Sequence, residues 1–173
     1  MAMTEIVRAG SGGWAFGARR RLLEAARDRI AVTDTMDGLI EVIRGTARAV
    51  CSADGVAFVL RDGDKCHYVE EDAIGPLWKG RRFPLETCIS GWAMLNGRTA
   101  AIGDIFADAR IAHDAYRRTF VRSLVMVPVG STSAVAAIGA YWAELRGFAA
   151  QEIATIEALA DAVGETMQRI RAA

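Results

Sequence analysis

The sequence predicts an α+β domain, and three observations carry that prediction. Amphipathic segments lie near both ends of the chain, strand-like alternation fills much of the middle, and two late strands are apolar on both faces. In LVMVPV (124–129) the alternating sets Leu124/Met126/Pro128 and Val125/Val127/Val129 are both apolar, and AVAAIGAYWA (134–143) likewise has no polar face. A sheet built on such strands must be covered on both sides. Helices at the chain ends cover one side. The irregular stretch 72–120 is the only material left for the other, and irregular chain roofing a sheet makes a plausible small-molecule cavity.

From Arg19, the positions Leu22, Leu23, Ala26 and Ile30 recur at three and four, which predicts a helix with Arg20, Glu24, Arg27 and Asp28 on its polar face. Residues 1–17, with Gly10, Gly12, Gly13 and Gly17, read as a mobile leader, and 18–173 as one domain. A second helix begins near Thr33 or Asp34, either a good N-cap, and carries Met36, Leu39, Ile40, Ile43, Ala47 and Val50 on one face. GVAFVLRD (55–62), a turn at Asp62-Gly63-Asp64 and KCHYVEE (65–71) form a hairpin. The long stretch that follows holds two short helical pieces, ISGWAMLNG and HDAYRRTF, and a short strand, TAAIGDI. Strands at 122–130 and 133–145 come next, then a helix from about Ala149 to Arg171.

Composition narrows the function. A chain of 173 residues, 52% apolar and 24% charged, buries enough surface for a conventional core, which excludes intrinsic disorder. Lys plus Arg (21) balances Asp plus Glu (21), so no net field draws in nucleic acid or an anionic membrane. No run of about 18 apolar residues is present, and the start MAMTEIVRAGSGG lacks the apolar region of a secretory signal, so a cytoplasmic location is expected. Cys51, Cys66 and Cys88 fit neither a disulfide framework nor a zinc knuckle, and a reducing compartment is the simplest reading. His67 and His113 stand far apart without a ligand set, so neither a metal nor another cofactor is expected. The 19 Arg against 2 Lys suggest a GC-rich, bacterial genome.

The order of elements and several strings resemble the GAF domain family of ligand-sensing modules. The strings are FPLETCISGWAMLNGRTAAIGDI (83–105), DARIAHDAYRRTFVRSLVMVPV (108–129) and AAIGAYW followed by FAAQEIATIEALADAVG (148–164). Together they look like a GAF domain of the kind attached to bacterial sensor histidine kinases. The resemblance implies a central antiparallel sheet of five or six strands, terminal helices on one face, and a ligand pocket on the other.

Relatives within that family supply sharper alternatives. Tetrapyrrole-binding members carry a Cys-His pair, but Cys66-His67 lies upstream of the expected position and on a strand, where the two residues face opposite ways. Cyclic-nucleotide binders carry an Asn-Lys pair, whereas Asn96 is the sole asparagine here. Members that reduce free methionine sulfoxide use a Gly-Val-Cys-Gly-like string. The matching residues are Cys88, Ile89, Ser90 and Gly91, with serine at the nucleophile's place and no cysteine in Arg110–His113. The expectation is therefore a non-catalytic sensor domain, with a ligand-free dimerisation scaffold, or more remotely the reductase, as alternatives.

Candidate pocket walls are Trp78, Phe83, Trp92, Phe106, Tyr116, Met126 and Tyr141, and the polar candidates are Asp104, Arg110 and Arg122. Strand parity leaves open whether Met126 exchanges with Val125 or Val127, and Tyr141 with Trp142. Asp104 can meet a ligand or cap the next turn. Ile153, Ile156, Ala160, Val163, Met167 and Ile170 form an a/d stripe on the last helix. The stripe points to a homodimer through the terminal helices, or packs on the sheet, as Leu159 suggests. The expected partners are an unidentified small molecule, a second copy and an output kinase domain.

Overall fold

The computed structural model describes residues 3–130 and 133–173, with side chains from Ala15 onward in the first helix. Its elements are α1 (Met3–Ala31), α2 (Met36–Cys51), β1 (Gly55–Asp62), β2 (Lys65–Ala73), β3 (Arg82–Pro84), α3 (Ile89–Asn96), β4 (Ala100–Ile102), α4 (His113–Tyr116), β5 (Ser123–Val129), β6 (Ala136–Trp142) and α5 (Ala150–Ala172). Single turns of 3-10 helix at 85–87 and 105–107 complete the roof.

The six strands form one antiparallel sheet in the order β3-β2-β1-β6-β5-β4. The β1–β2 hairpin turns through Gly63 at φ 62°, where a side chain would be strained. β3 was not foreseen: three residues are too few to show a period, and pairing with Lys65–His67 is what makes them a strand.

Helix α1 starts at Met3 rather than near Arg19, and its backbone stays helical through the four glycines read as breaks. Glycine costs about 1 kcal/mol each in a helix, a weak local preference that does not by itself end one. Here Ala26 and Ile30 are buried and Arg19 pairs with Glu152 of α5 at 3.3 Å. Residues 1 and 2 of the expected leader lie outside the described residues. Thr35, rather than Thr33 or Asp34, caps α2, its hydroxyl accepting from Gly38 N–H at 3.1 Å. Thr33 instead donates to the Arg29 carbonyl at the end of α1.

Both faces of the sheet are covered. Val56, Phe58, Val125, Val127, Ile138 and Trp142 face α1, α2 and α5. Ala57, Val59, Cys66, Tyr68, Leu124, Met126 and Tyr141 face the roof. This settles the parity: Met126 and Tyr141 lie on the roof side, Val125, Val127 and Trp142 on the helix side. Gly139 is what lets Tyr141 lie flat on the sheet, because a Cβ there would run into the Tyr141 hydroxyl and Met126 Cε.

The a/d stripe of α5 packs on the sheet. Ile156, Ala160, Val163 and Met167 are buried within a single chain, Met167 to 1% exposure, so these residues are core and not free to form a seam between copies. No helix among the described residues is long and apolar enough to cross a membrane.

Candidate functional site: an aromatic enclosure with a thiol pair at its edge

The chain leaves β2 at Ala73 and is pulled back over the sheet by Glu71. Its carboxylate accepts the backbone N–H groups of Leu77, Trp78 and Lys79 at 3.1, 2.8 and 2.9 Å. This fixes Trp78 at the centre of the roof-side core, where its indole N–H donates to the Ala115 carbonyl at 3.0 Å. The Trp78 ring meets Tyr68, Tyr116 and Tyr141 edge-on, at centroid distances of 5.5, 4.6 and 5.5 Å, and Phe83 closes on Tyr68 at 5.6 Å. Such tilted pairs add to the area they bury.

The enclosure is nearly full. A void of about 30 Å³ remains, bounded by Tyr68, Trp78, Phe83, Thr87, Cys88 and Tyr116 with Ala112 and Ala115. Larger grooves, up to about 280 Å³, lie on the other side of the sheet along α1 and α5. Tyr68 shares a hydrogen bond with Ser90 at 3.1 Å, whereas the buried hydroxyls of Tyr116 and Tyr141 have no partner among the described residues. Burial pushes all three phenols up, so they remain neutral and able to donate.

At the edge of the void stands Cys88. Its Sγ lies 2.9 Å from Sγ of Cys66 and 3.3 Å from the Ser90 hydroxyl. Cys66 is buried on β2, and Cys88 is half-buried immediately before α3. The hydrogen bond to Cys66 favours the Cys88 thiolate, with smaller help from Ser90 and the Gly91 N–H. Together they outweigh burial and hold Cys88 down to about 6, while the same bond and burial push Cys66 up. Cys51, buried on the helix side, is pushed up to about 12 by burial. Alkylation of Cys88 by iodoacetamide is therefore expected to reach half its maximal rate near pH 6; a midpoint near the ordinary thiol value of about 8.5 would contradict the assignment.

Of the residues singled out from the sequence, Trp78, Tyr116, Met126 and Tyr141 come together in the roof-side core, with Phe83 and Trp92 packed against it. The polar candidates do not join them. Asp104 caps the 3-10 turn, accepting from Phe106 N–H at 3.0 Å, which is one of the two roles expected of it. Arg110 is held by Asp108 through two hydrogen bonds at 3.0 and 2.7 Å and lies over Trp92 at 4.4 Å, outside the enclosure. Phe106 is 41% exposed, beside His113 and beneath Arg122, so these two candidates belong to the outer surface. A short cap and an ion pair satisfy these groups locally, which sequence position alone does not reveal.

Tyr68 was missed, and Cys66, Cys88 and Ser90 were weighed only against the relatives' motifs and left out of the site. Alternation along β2 puts Cys66 and Tyr68 on one face and could have found those two. The meeting of Cys66 with Cys88 depends on β3 pairing with β2 and on the turn at 85–87, neither of which is legible locally.

The GAF_2 family, described as a GAF domain, matches residues 32–168. The chain belongs to the GAF domain family. Among solved structures it is similar to free methionine-R-sulfoxide reductase from Neisseria meningitidis in complex with its substrate, at TM-score 0.79 and 19% identity over 91% of this chain and 92% of that one. It is similar to a putative GAF sensor protein from Burkholderia vietnamiensis, at 0.76 and 16% over 88% and 96%. Residues 122 to 287 of a methyl-accepting chemotaxis protein match at 0.72 and 18% over 85% and 97%. No protein of curated function matches the sequence.

These likenesses establish the fold, and they correct one expectation. The domain was expected not to be an enzyme, yet the neighbours sharing its fold include a reductase, and Cys88, set aside as shifted from the reductases' string, stands in a close thiol pair with Cys66. A non-catalytic role does not follow from the fold or from its residues.

Proposed function

We propose that this GAF domain is a cytoplasmic sensory module of bacterial signal transduction, associated with a histidine kinase, and that it reads a small molecule held beneath the roof. The observation carrying this reading is the pair of buried, unpartnered hydroxyls, Tyr116 and Tyr141, flanking Trp78. Leaving such a group without a hydrogen bond costs about 1–3 kcal/mol. A ligand with polar acceptors and a flat apolar body would remove that cost while stacking against Trp78. The remaining void is too small for such a body, so the roof around Trp78 and α4 must shift when it enters, and that shift is the signal.

A continuous set of contacts leads from the enclosure to the terminal helices. Next to Tyr141 on β6, Trp142 donates to the Ser52 carbonyl at the end of α2 and packs on Phe148. Arg146 covers both rings and binds Glu152 of α5, which also holds Arg19 of α1. Ligand binding can bias these helices only through a difference in affinity between two arrangements. The terminal helices would also join two copies. Because the α5 stripe is core, that contact would use the outer face of α1, where Phe16 and Leu22 are exposed.

A second reading, a scaffold domain without a ligand, is favoured by the void of only about 30 Å³. Thermal and urea unfolding of the ligand-free Tyr116→Phe/Tyr141→Phe protein tests the carrying observation. Removal of two unpartnered hydroxyls is expected to raise stability by about 2–6 kcal/mol, about 1–3 kcal/mol for each; a loss of stability would mean that the hydroxyls are already satisfied and would overturn the reading.

A further inference from the structure

We infer that Cys66 and Cys88 form a redox-active dithiol that reacts with hydrogen peroxide. This goes beyond the sensory reading, since the chemistry of the pair needs no ligand in the aromatic enclosure. Three features place the chemistry. The sulfurs are 2.9 Å apart, so a disulfide, about 2.05 Å long, needs a sulfur movement of less than an ångström. The roles are divided by position: Cys88 is half-buried and open to a reagent, whereas Cys66 is sealed on β2, reachable only through Cys88. A small cleft lined by Cys88 opens beside its sulfur, which gives a small oxidant such as hydrogen peroxide a place to meet it.

The steps balance. The Cys88 thiolate attacks one peroxide oxygen and the O–O bond breaks; the departing hydroxide takes a proton to leave as water, and Cys88 becomes a sulfenic acid. Sγ of Cys66 then attacks Sγ of Cys88, the S–O bond breaks, and the hydroxyl leaves as water with the Cys66 proton. Two thiols are oxidised to one disulfide and one peroxide is reduced to two waters. An external dithiol returns the pair by exchange, ending as its own disulfide. Ser90, 3.3 Å from Cys88 and bonded to Tyr68, is placed to steady the thiolate and links the reaction to the enclosure. The disulfide would tie the turn at 85–87 and the start of α3 to β2, fixing one edge of the roof.

The test uses the whole reduced chain, treated with hydrogen peroxide, quenched with N-ethylmaleimide and mapped by peptide mass spectrometry without reduction. The expected product has Cys66 joined to Cys88, lighter by two hydrogens, with Cys51 alkylated. Thiol loss at the pair should be at least tenfold faster than at Cys51. In Cys66→Ser, Cys88 should remain as a sulfenic acid captured by dimedone. In Cys88→Ser, a change at a half-buried position, Cys66 should be no more reactive than Cys51. Full alkylation of Cys66 and Cys88 after peroxide, disulfides only between chains, or wild-type loss of the Cys66 thiol in Cys88→Ser would each overturn the inference. None of these readouts depends on a ligand in the enclosure.

Discussion

Trp78→Ala is expected to lower the unfolding free energy by about 3–5 kcal/mol. The indole is 3% exposed, meets three tyrosines and donates to the Ala115 carbonyl, so its loss removes apolar burial and strands that acceptor in the roof. The neighbours cannot close the gap, because Tyr141 lies fixed on the sheet over Gly139 and Tyr68 is tied to Ser90. Urea unfolding measures the loss. Trp78→Phe, which keeps most of the volume but not the N–H, should cost visibly less. Equal effects from the two changes would show that the hydrogen bond, rather than packing, holds the roof.

Gly91→Ala is expected to be nearly as severe, costing about 3 kcal/mol, the upper end of what overpacking typically costs. A Cβ at this position would fall on the backbone carbonyl of Leu85, which cannot yield as a flexible side chain can. The first turn of α3 would have to move away from the turn at 85–87, carrying Cys88 and Ser90 with it. The Gly91 N–H would then stop supporting the Cys88 thiolate. Whatever fraction of the protein folds should therefore show a Cys88 alkylation midpoint moved upward from about 6. Unchanged stability and an unchanged midpoint would mean that α3 and the turn are looser than the structure has them.

The sheet and its two-sided burial were legible because side-chain alternation in β5 and β6 is a local property with one structural solution. LVMVPV and AVAAIGAYW have no polar face, and both cores duly contain their residues. The enclosure was half legible. Aromatic residues in a segment that must roof a sheet will mostly turn inward, as Trp78, Phe83 and Tyr116 do. Polar residues in the same segment gave no such guidance, because Asp104 and Arg110 find partners two residues away and have no need of the pocket. Helix α1 was misjudged from its glycines, whose cost of about 1 kcal/mol each in a helix is too weak a local preference to mark where a helix starts. The thiol pair joins residues 22 positions apart through a three-residue strand and a single 3-10 turn. Neither element has a sequence period, so the pairing had no local signature.

The central claim is that the roof encloses a small molecule which the two orphan tyrosine hydroxyls recognise. Native mass spectrometry of the chain isolated from its own cells tests it most directly, run beside the Tyr116→Phe/Tyr141→Phe protein prepared in the same way. The account predicts a wild-type mass exceeding that of the bare chain by one small molecule, and loss of that molecule from the double variant. A wild-type protein at the bare mass, or a molecule retained equally by both proteins, would contradict it.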